Sequence, residues 1–300
     1  MTNENVGANP KKHELRVNRP VLGASLMILG MLVFPVGDAV AKHLSSHYST
    51  LGLSWFRFSI GAIFLLPFAL RTILKGMPVS KPMIAEQSLR GLLVLGATVF
   101  FVAALARIPL ADTVGAYAIA PIIASLLAVV VLKESLSNRK IFAVVLGFCG
   151  TLLIVRPGVS MDVGFVYALL AGACFGGFLV ANRWAKTDVP PYFAIAFQTW
   201  FGLLVLLPFV LSDLANIRSE DLALLLLMGA GSATAQVLTI IAARMTSAGL
   251  LAPLVYFEMI GAVILGYWVF GDVPAFLTWI GMAVVVVAGL LLIKRRNMRR

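Results

Sequence analysis

The chain has 300 residues, 60% of them hydrophobic and 12% charged, with a mean hydropathy of +0.97. A soluble domain is nearer 45–50% apolar and about 25% charged, so the composition excludes a soluble globular protein and leaves helices packed in lipid. The net charge of +11 does not mark a nucleic-acid binder, because the basic residues gather in short loops and at the two ends.

Residues 1–19 are polar, carry Lys11, Lys12, Arg16 and Arg19, and precede an apolar run long enough to span without a small-residue cleavage site after it. They are expected to form a cytoplasmic tail before a retained first helix. About 20 apolar residues cross a bilayer. Ten stretches qualify, near 20–42, 50–70, 87–106, 109–132 and 139–156, then 161–183, 190–211, 222–243, 247–270 and 275–293. Only the RIP at 107–109 parts the third from the fourth, which leaves nine as the competing count. With ten spans and the N-terminus inside, 19 of the 24 basic residues fall on the cytoplasmic side, including a basic tail at 294–300. Four (Lys42, Arg107, Arg156 and Arg218) fall outside, and Arg57 lies within the second span. Lys and Arg bias sets orientation, and two cytoplasmic termini require an even number of spans, which selects ten.

The halves repeat. LLPFAL at 65–70 returns as LLPFVL at 206–211, Glu134 after the fourth span is matched by Asp272 after the ninth, and GTLLIV at 150–155 is followed by GLLLIK at 289–294. All three matches keep order at offsets of 138–141 residues. Five spans per half is an odd number, so residues 161–293 must enter the membrane inverted relative to 20–156. Inverted repeats place a transport site at their interface near the midplane.

Arg57 in WFRFSIG, the acidic ends VVLKES and VFGDVP, and PIIASLLAVVVLKES at 121–135 resemble the drug/metabolite transporter superfamily, within it the ten-helix EamA-type transporters. The resemblance covers about residues 20–293. It implies an all-α membrane fold of two inverted five-helix repeats around a central cavity, alternating access, and cargo such as amino acids moved outward. The second repeat departs from the motif, with Met259 at the position equivalent to Pro121 and Glu258 just before it.

Glu258 lies near the middle of the ninth span, where a carboxylate is costly unless it is paired or used. Gly261, Ala262 and Gly266 follow it on a small-residue surface. Its two readings are a proton-binding or amine-binding cavity group and a protonated interhelical hydrogen bonder. Asp38 and Lys42 share a face of the first span, with Pro35 expected to kink the helix just below them. Asp38 and Arg57 sit at matching depth and are expected to meet, as a scaffold pair or as a coupling pair. Tyr117, Tyr256 and Trp200 fall at mid-membrane rather than in the interfacial belts and suit an apolar pocket for aromatic or aliphatic amino acids. Gln198, Thr234 and Gln236 are candidate cargo hydrogen bonders, with plain interhelical bonding as the alternative. Asn182 and Arg183 read as a snorkelling cap at the sixth span's end, and Cys149 and Cys174 as packing residues.

No phosphate-binding loop, zinc-protease motif or nucleophile elbow is present, and no cofactor or metal site is expected. The expectation is a multi-pass secondary transporter of the bacterial inner membrane, monomeric or weakly homo-oligomeric, acting on a small molecule, by proton exchange or as a uniporter. A nucleotide-sugar or phosphorylated cargo is the alternative, and it calls for several cavity-facing cations. Only Arg57 is expected deep in a span. From other classes, a lipid enzyme or an accessory subunit remains the rival.

Overall fold

A computed structural model describes residues 19–292 except 75, 77–79, 135–136, 157–161, 186, 188 and 247. The expected basic tail at 294–300 and all but Arg19 of the expected N-terminal tail lie outside the described residues.

All regular structure among the described residues is helical. The first half contains α1 (Pro20–Leu44), α2 (Thr50–Leu74), α3 (Lys81–Leu105), α4 (Leu110–Tyr117), α5 (Ala120–Leu132) and α6 (Asn138–Val155). The second contains α7 (Val163–Trp184), α8 (Pro191–Leu206), the short α9 (Leu211–Ala215), α10 (Leu222–Met245), α11 (Ala248–Leu251), α12 (Phe257–Phe270) and α13 (Phe276–Leu292). Nine segments among the described residues are long and apolar enough to cross a membrane, and α13, at 17 residues, is a shorter tenth. The chain is thus a multi-pass membrane protein.

Local chemistry sets the boundaries. Ser80 accepts from Met83 N–H and Pro82 follows in the first turn, a cap and a pre-set φ that start α3 six residues before the expected 87. The shift places Arg90, counted with the cytoplasmic basic residues although it falls just inside the expected span, ten residues into α3, where it is 8% exposed. Ser137 caps α6 and Asp162 caps α7 in the same way. α1 stays helical through Pro35, whose ring rests where a Cβ on Gly261 would lie 3.0 Å away.

Two expected spans, 109–132 and 247–270, are each broken. Pro121 cannot donate to the Tyr117 carbonyl, and α4 ends there, giving way to a turn at 118–119 before α5. Pro253 likewise leaves the Gly249 carbonyl without its helical donor, and a 3₁₀ turn, Ala252–Tyr256, separates α11 from α12. The two breaks fall at equivalent places in the two halves, and α4 packs on α12.

Close packing comes from small residues. On α1, Gly23, Gly30 and Gly37 face α10, and a Cβ on Gly37 would lie 3.0 Å from the Met228 carbonyl oxygen. On α6 and α13, Gly150 and Gly281 meet backbone to backbone. The most extensive pairings all join the two halves: α1 with α10 and α7 with α3, α1 with α12 and α7 with α5, α10 with α2 and α3 with α8, and the self-equivalent pairs α2–α8 and α6–α13. Exchanging the halves leaves this set unchanged, which is consistent with an inverted repeat. The largest buried apolar cluster, with Leu44, Leu53, Leu105, Ile154 and Leu225, lies toward the end that carries Lys42. Toward the opposite end the buried clusters are small.

Candidate functional site

The helix breaks place the polar groups. Glu258 occupies the first turn of α12, directly after the 3₁₀ turn whose Leu254 carbonyl accepts from the Phe257 N–H. It stands in the interior, within electrostatic reach of Tyr117, Asp38 and Arg57. Even so it is only half-buried and keeps accessible surface. Tyr117, the last residue of α4, is half-buried in the same way. Its ring meets Phe101 edge-on at 5.1 Å and Phe175 at 5.5 Å. Broken spans that bring half-helix ends together at mid-depth are how secondary transporters build cargo sites.

Arg57 donates to Asp38 at 2.8 Å, and the Asp38 carboxylate is 1% exposed. The expected meeting of these two residues is present. With Glu258 they form a group of two carboxylates and one guanidinium, so the fully ionised cluster carries one negative charge. Lys42 takes a different partner. It binds Asp272 at 2.7 Å, donates to the Ile108 carbonyl at 3.2 Å and lies 4.9 Å from the centre of the Phe270 ring.

The other candidates disperse. The Tyr256 hydroxyl packs on Gly289 of α13, where an added Cβ would overlap it. Gln198 donates to Gln87 at 3.4 Å between α8 and α3, and both are buried. Trp200 Nε1 is buried without an acceptor among the described residues. Thr234 is exposed on α10, and Gln236 is half-buried on the same helix, its carbonyl accepting from Thr239. Among the described residues no hydrogen bond, ion pair or ring contact joins any of these five side chains to Glu258. Phe101 and Phe175, absent from the expected site, are there because each rings Tyr117. In an apolar span, no sequence signal distinguishes such a phenylalanine from one facing lipid.

Both ends of the molecule carry an ion pair between matching elements. At one end Lys42, near the end of α1, holds Asp272, just beyond α12. At the other Arg183, near the end of α7, holds Glu134, just beyond α5, with Lys140 at 3.4 Å. Lys42 and Arg183 are 141 residues apart, and Glu134 and Asp272 are 138 apart, the same offsets as the repeat. Hydrogen bonding from Arg183 holds the Glu134 carboxyl below its ordinary range. Among the described residues no three His, Cys, Asp or Glu side chains are close enough together to hold a metal ion.

A model of the EamA-like transporter family matches residues 21–156 and again 162–294. Among curated proteins, the chain is 24% identical over 273 residues to the S-adenosylmethionine uptake transporter of Rickettsia prowazekii (strain Madrid E), covering 90% of this chain and 92% of that protein. It is 27% identical over 296 residues to the riboflavin transporter of Rhizobium johnstonii, covering 94% of each. It is 28% identical over 274 residues to the pseudopaline exporter CntI of Pseudomonas aeruginosa, covering 89% of this chain and 94% of that one. A solved crystal structure superposes with a TM-score of 0.60 at 17% identity, covering 89% of this chain and 95% of that chain, which shows a shared fold.

Proposed function

The chain belongs to the EamA-like transporter family and is a membrane transporter rather than an enzyme; we propose that it exports small metabolites bearing an ammonium group, with neutral and aromatic amino acids first. One observation carries this reading: Glu258 heads the outer half of a broken helix beside Tyr117 and the Arg57–Asp38 pair. The single negative charge left on that cluster is matched by one ammonium or one proton. The Tyr117, Phe101 and Phe175 rings supply an apolar wall that suits an aromatic or aliphatic side chain and, through its π faces, a cation. The relatives are named for three different compounds and for both uptake and export, so kinship alone fixes neither cargo nor direction.

Transport then follows alternating access, with the two five-helix halves rocking around the Glu258 cluster. Glu258 binds cargo or a proton in turn, which makes exchange proton-linked. In this reading residues 20–156 and 161–293 are the moving repeats, both termini are cytoplasmic and the membrane is the bacterial inner membrane. The purified protein alone in liposomes, tested by counterflow with labelled amino acids and nucleotide sugars, is expected to exchange amino acids saturably. Exchange of nucleotide sugars instead would overturn the cargo. No exchange of any compound by folded protein would overturn solute transport by the chain alone.

A further inference from the structure

Arg90 has no place in the site just described. It is the tenth residue of α3 and 8% exposed, a depth at which a guanidinium is retained only with a partner or a task. Among the described residues it makes no hydrogen bond and no ion pair, and its Nε is buried without an acceptor. Its electrostatic neighbour is Glu86, one turn toward the inner end. That carboxylate is engaged elsewhere, accepting from both the backbone N–H and the hydroxyl of Thr187. Gln87, fully buried on the same turn, also has an amide nitrogen without an acceptor.

The direction in which Arg90 points follows from α3 itself. At 3.6 residues per turn, Arg90, Ala97 and Phe101 lie within about 40° of one another around the helix axis. Phe101 faces Tyr117, and all three residues are buried. The two helices most extensively packed on α3 lie on other faces, α7 at Leu93 and Gly96 and α8 at Gly91. Arg90 therefore points into the same interior sector as the Tyr117 site, about 16 Å nearer the inner end at 1.5 Å per residue.

We infer that Arg90 and Gln87 form a second binding subsite, in the inner half of the cavity, for a carboxylate. The inference rests on the transport reading only for the carboxylate's origin, the acid end of an amino-acid-like cargo on its way to Glu258. Donors without acceptors ask for an oxyanion. A single guanidinium forks onto the two oxygens of a carboxylate and matches its single charge. A phosphate dianion would leave one charge uncompensated. At this separation a small cargo occupies the two subsites in succession. The carboxylate is bound first from the cytoplasm, and the ammonium engages Glu258 after the cargo moves inward.

The test is the melting temperature of the purified full-length chain, titrated with sodium acetate and, separately, with inorganic phosphate, ionic strength being held with a bulky sulfonate salt. Acetate is expected to raise the melting temperature saturably. Arg90→Gln is expected to weaken the midpoint at least about tenfold, Arg90→Lys to weaken it less, and Gln87→Leu to weaken it severalfold. Gln87→Leu, which removes no charge, serves if Arg90→Gln does not fold. The same saturable response in the wild type and in both Arg90→Gln and Gln87→Leu would overturn the subsite, as would no saturable response in the wild type. A response to phosphate without one to acetate would overturn the carboxylate assignment. The readout needs no flux. Saturable acetate binding by a protein that exchanges nothing in counterflow would retain the subsite and reject the transport reading, and counterflow without acetate binding would do the reverse.

Discussion

Glu258 and Asp38 are both acids in the membrane interior, and their surroundings assign them different tasks. Asp38 is held by Arg57 and is 1% exposed, so neutralising it strands a guanidinium in the interior. Breaking a buried pair from one side costs about 3–5 kcal/mol. Asp38→Asn is therefore expected to lower yield and melting temperature, and to slow counterflow per folded molecule, because the freed Arg57 cancels the single negative charge of the cluster. Wild-type counterflow from the folded variant would show that the pair only braces the fold. Among the described residues Glu258 forms no ion pair, and it keeps accessible surface, so its neutral isostere fits without stranding a partner. Glu258→Gln is expected to fold normally, to exchange cargo at least about tenfold more slowly, a barrier of ~1.4 kcal/mol, and to lose the pH dependence of the wild type. A wild-type rate and pH profile in that variant would remove Glu258 from the mechanism.

The spans cohere because small residues let backbones touch. A Cβ on Gly281 of α13 would lie 2.6 Å from Ile154 Cγ1 and 2.7 Å from the Gly150 carbonyl oxygen of α6. The second contact is backbone and cannot swing aside, so Gly281→Ala has to push the two helices apart. Overpacking of this kind costs about 1–3 kcal/mol, and thermal unfolding of the variant in detergent is expected to show it. The same substitution at Gly231, where nothing outside its own stretch of helix lies within 4 Å of the added Cβ, is expected not to lower the melting temperature and to raise it slightly, since Ala is favoured over Gly inside a helix. Elements of this kind are partly legible in sequence. Apolar length gives the crossings, nine full-length and a shorter tenth among the described residues, and equal depth in neighbouring spans gives the Asp38–Arg57 pair. The helix breaks went unread because the apolar runs across Pro121 and Pro253 are long enough to pass as single spans. The depth of Arg90 went unread because Ser80 and Pro82, an ordinary helix start, sit in a polar stretch that reads as loop. Lys42's partner could not be read at all. Asp272 is 230 residues away in sequence, and only the closure of α1 on α12 brings it near.

At the scale of the molecule, the two terminal ion pairs repeat the relation between the halves, and their burial separates the two ends. The Lys42 and Asp272 side chains are 18% and 27% exposed, and the Arg183 and Glu134 side chains are 56% and 30% exposed. The larger apolar cluster lies toward the Lys42 end, so this end is the more tightly packed. Under the alternating access proposed above, a pair that closes one end when formed has to separate when that end opens, and the two halves supply one such pair per end. Asp272→Asn removes the charge from the better-buried pair. It is expected to speed amide hydrogen exchange around Ser45–Tyr48 and Ala106–Ile108 by severalfold. Glu134→Gln is expected to act at the opposite end, around Lys133 and Ala185, and to act less, because exposed pairs contribute only about 0–1 kcal/mol. The Glu134 effect also carries a pH signature. Arg183 lowers the folded-state value of this carboxyl, so the pair contributes above the ordinary carboxylate range, near pH ~4, and is lost as pH falls through the lowered value. The difference between Glu134→Gln and the wild type is therefore expected at neutral pH and to vanish in strong acid. Equal acceleration at both ends in either variant would show that the pairs brace the fold as a whole and do not hold one end each.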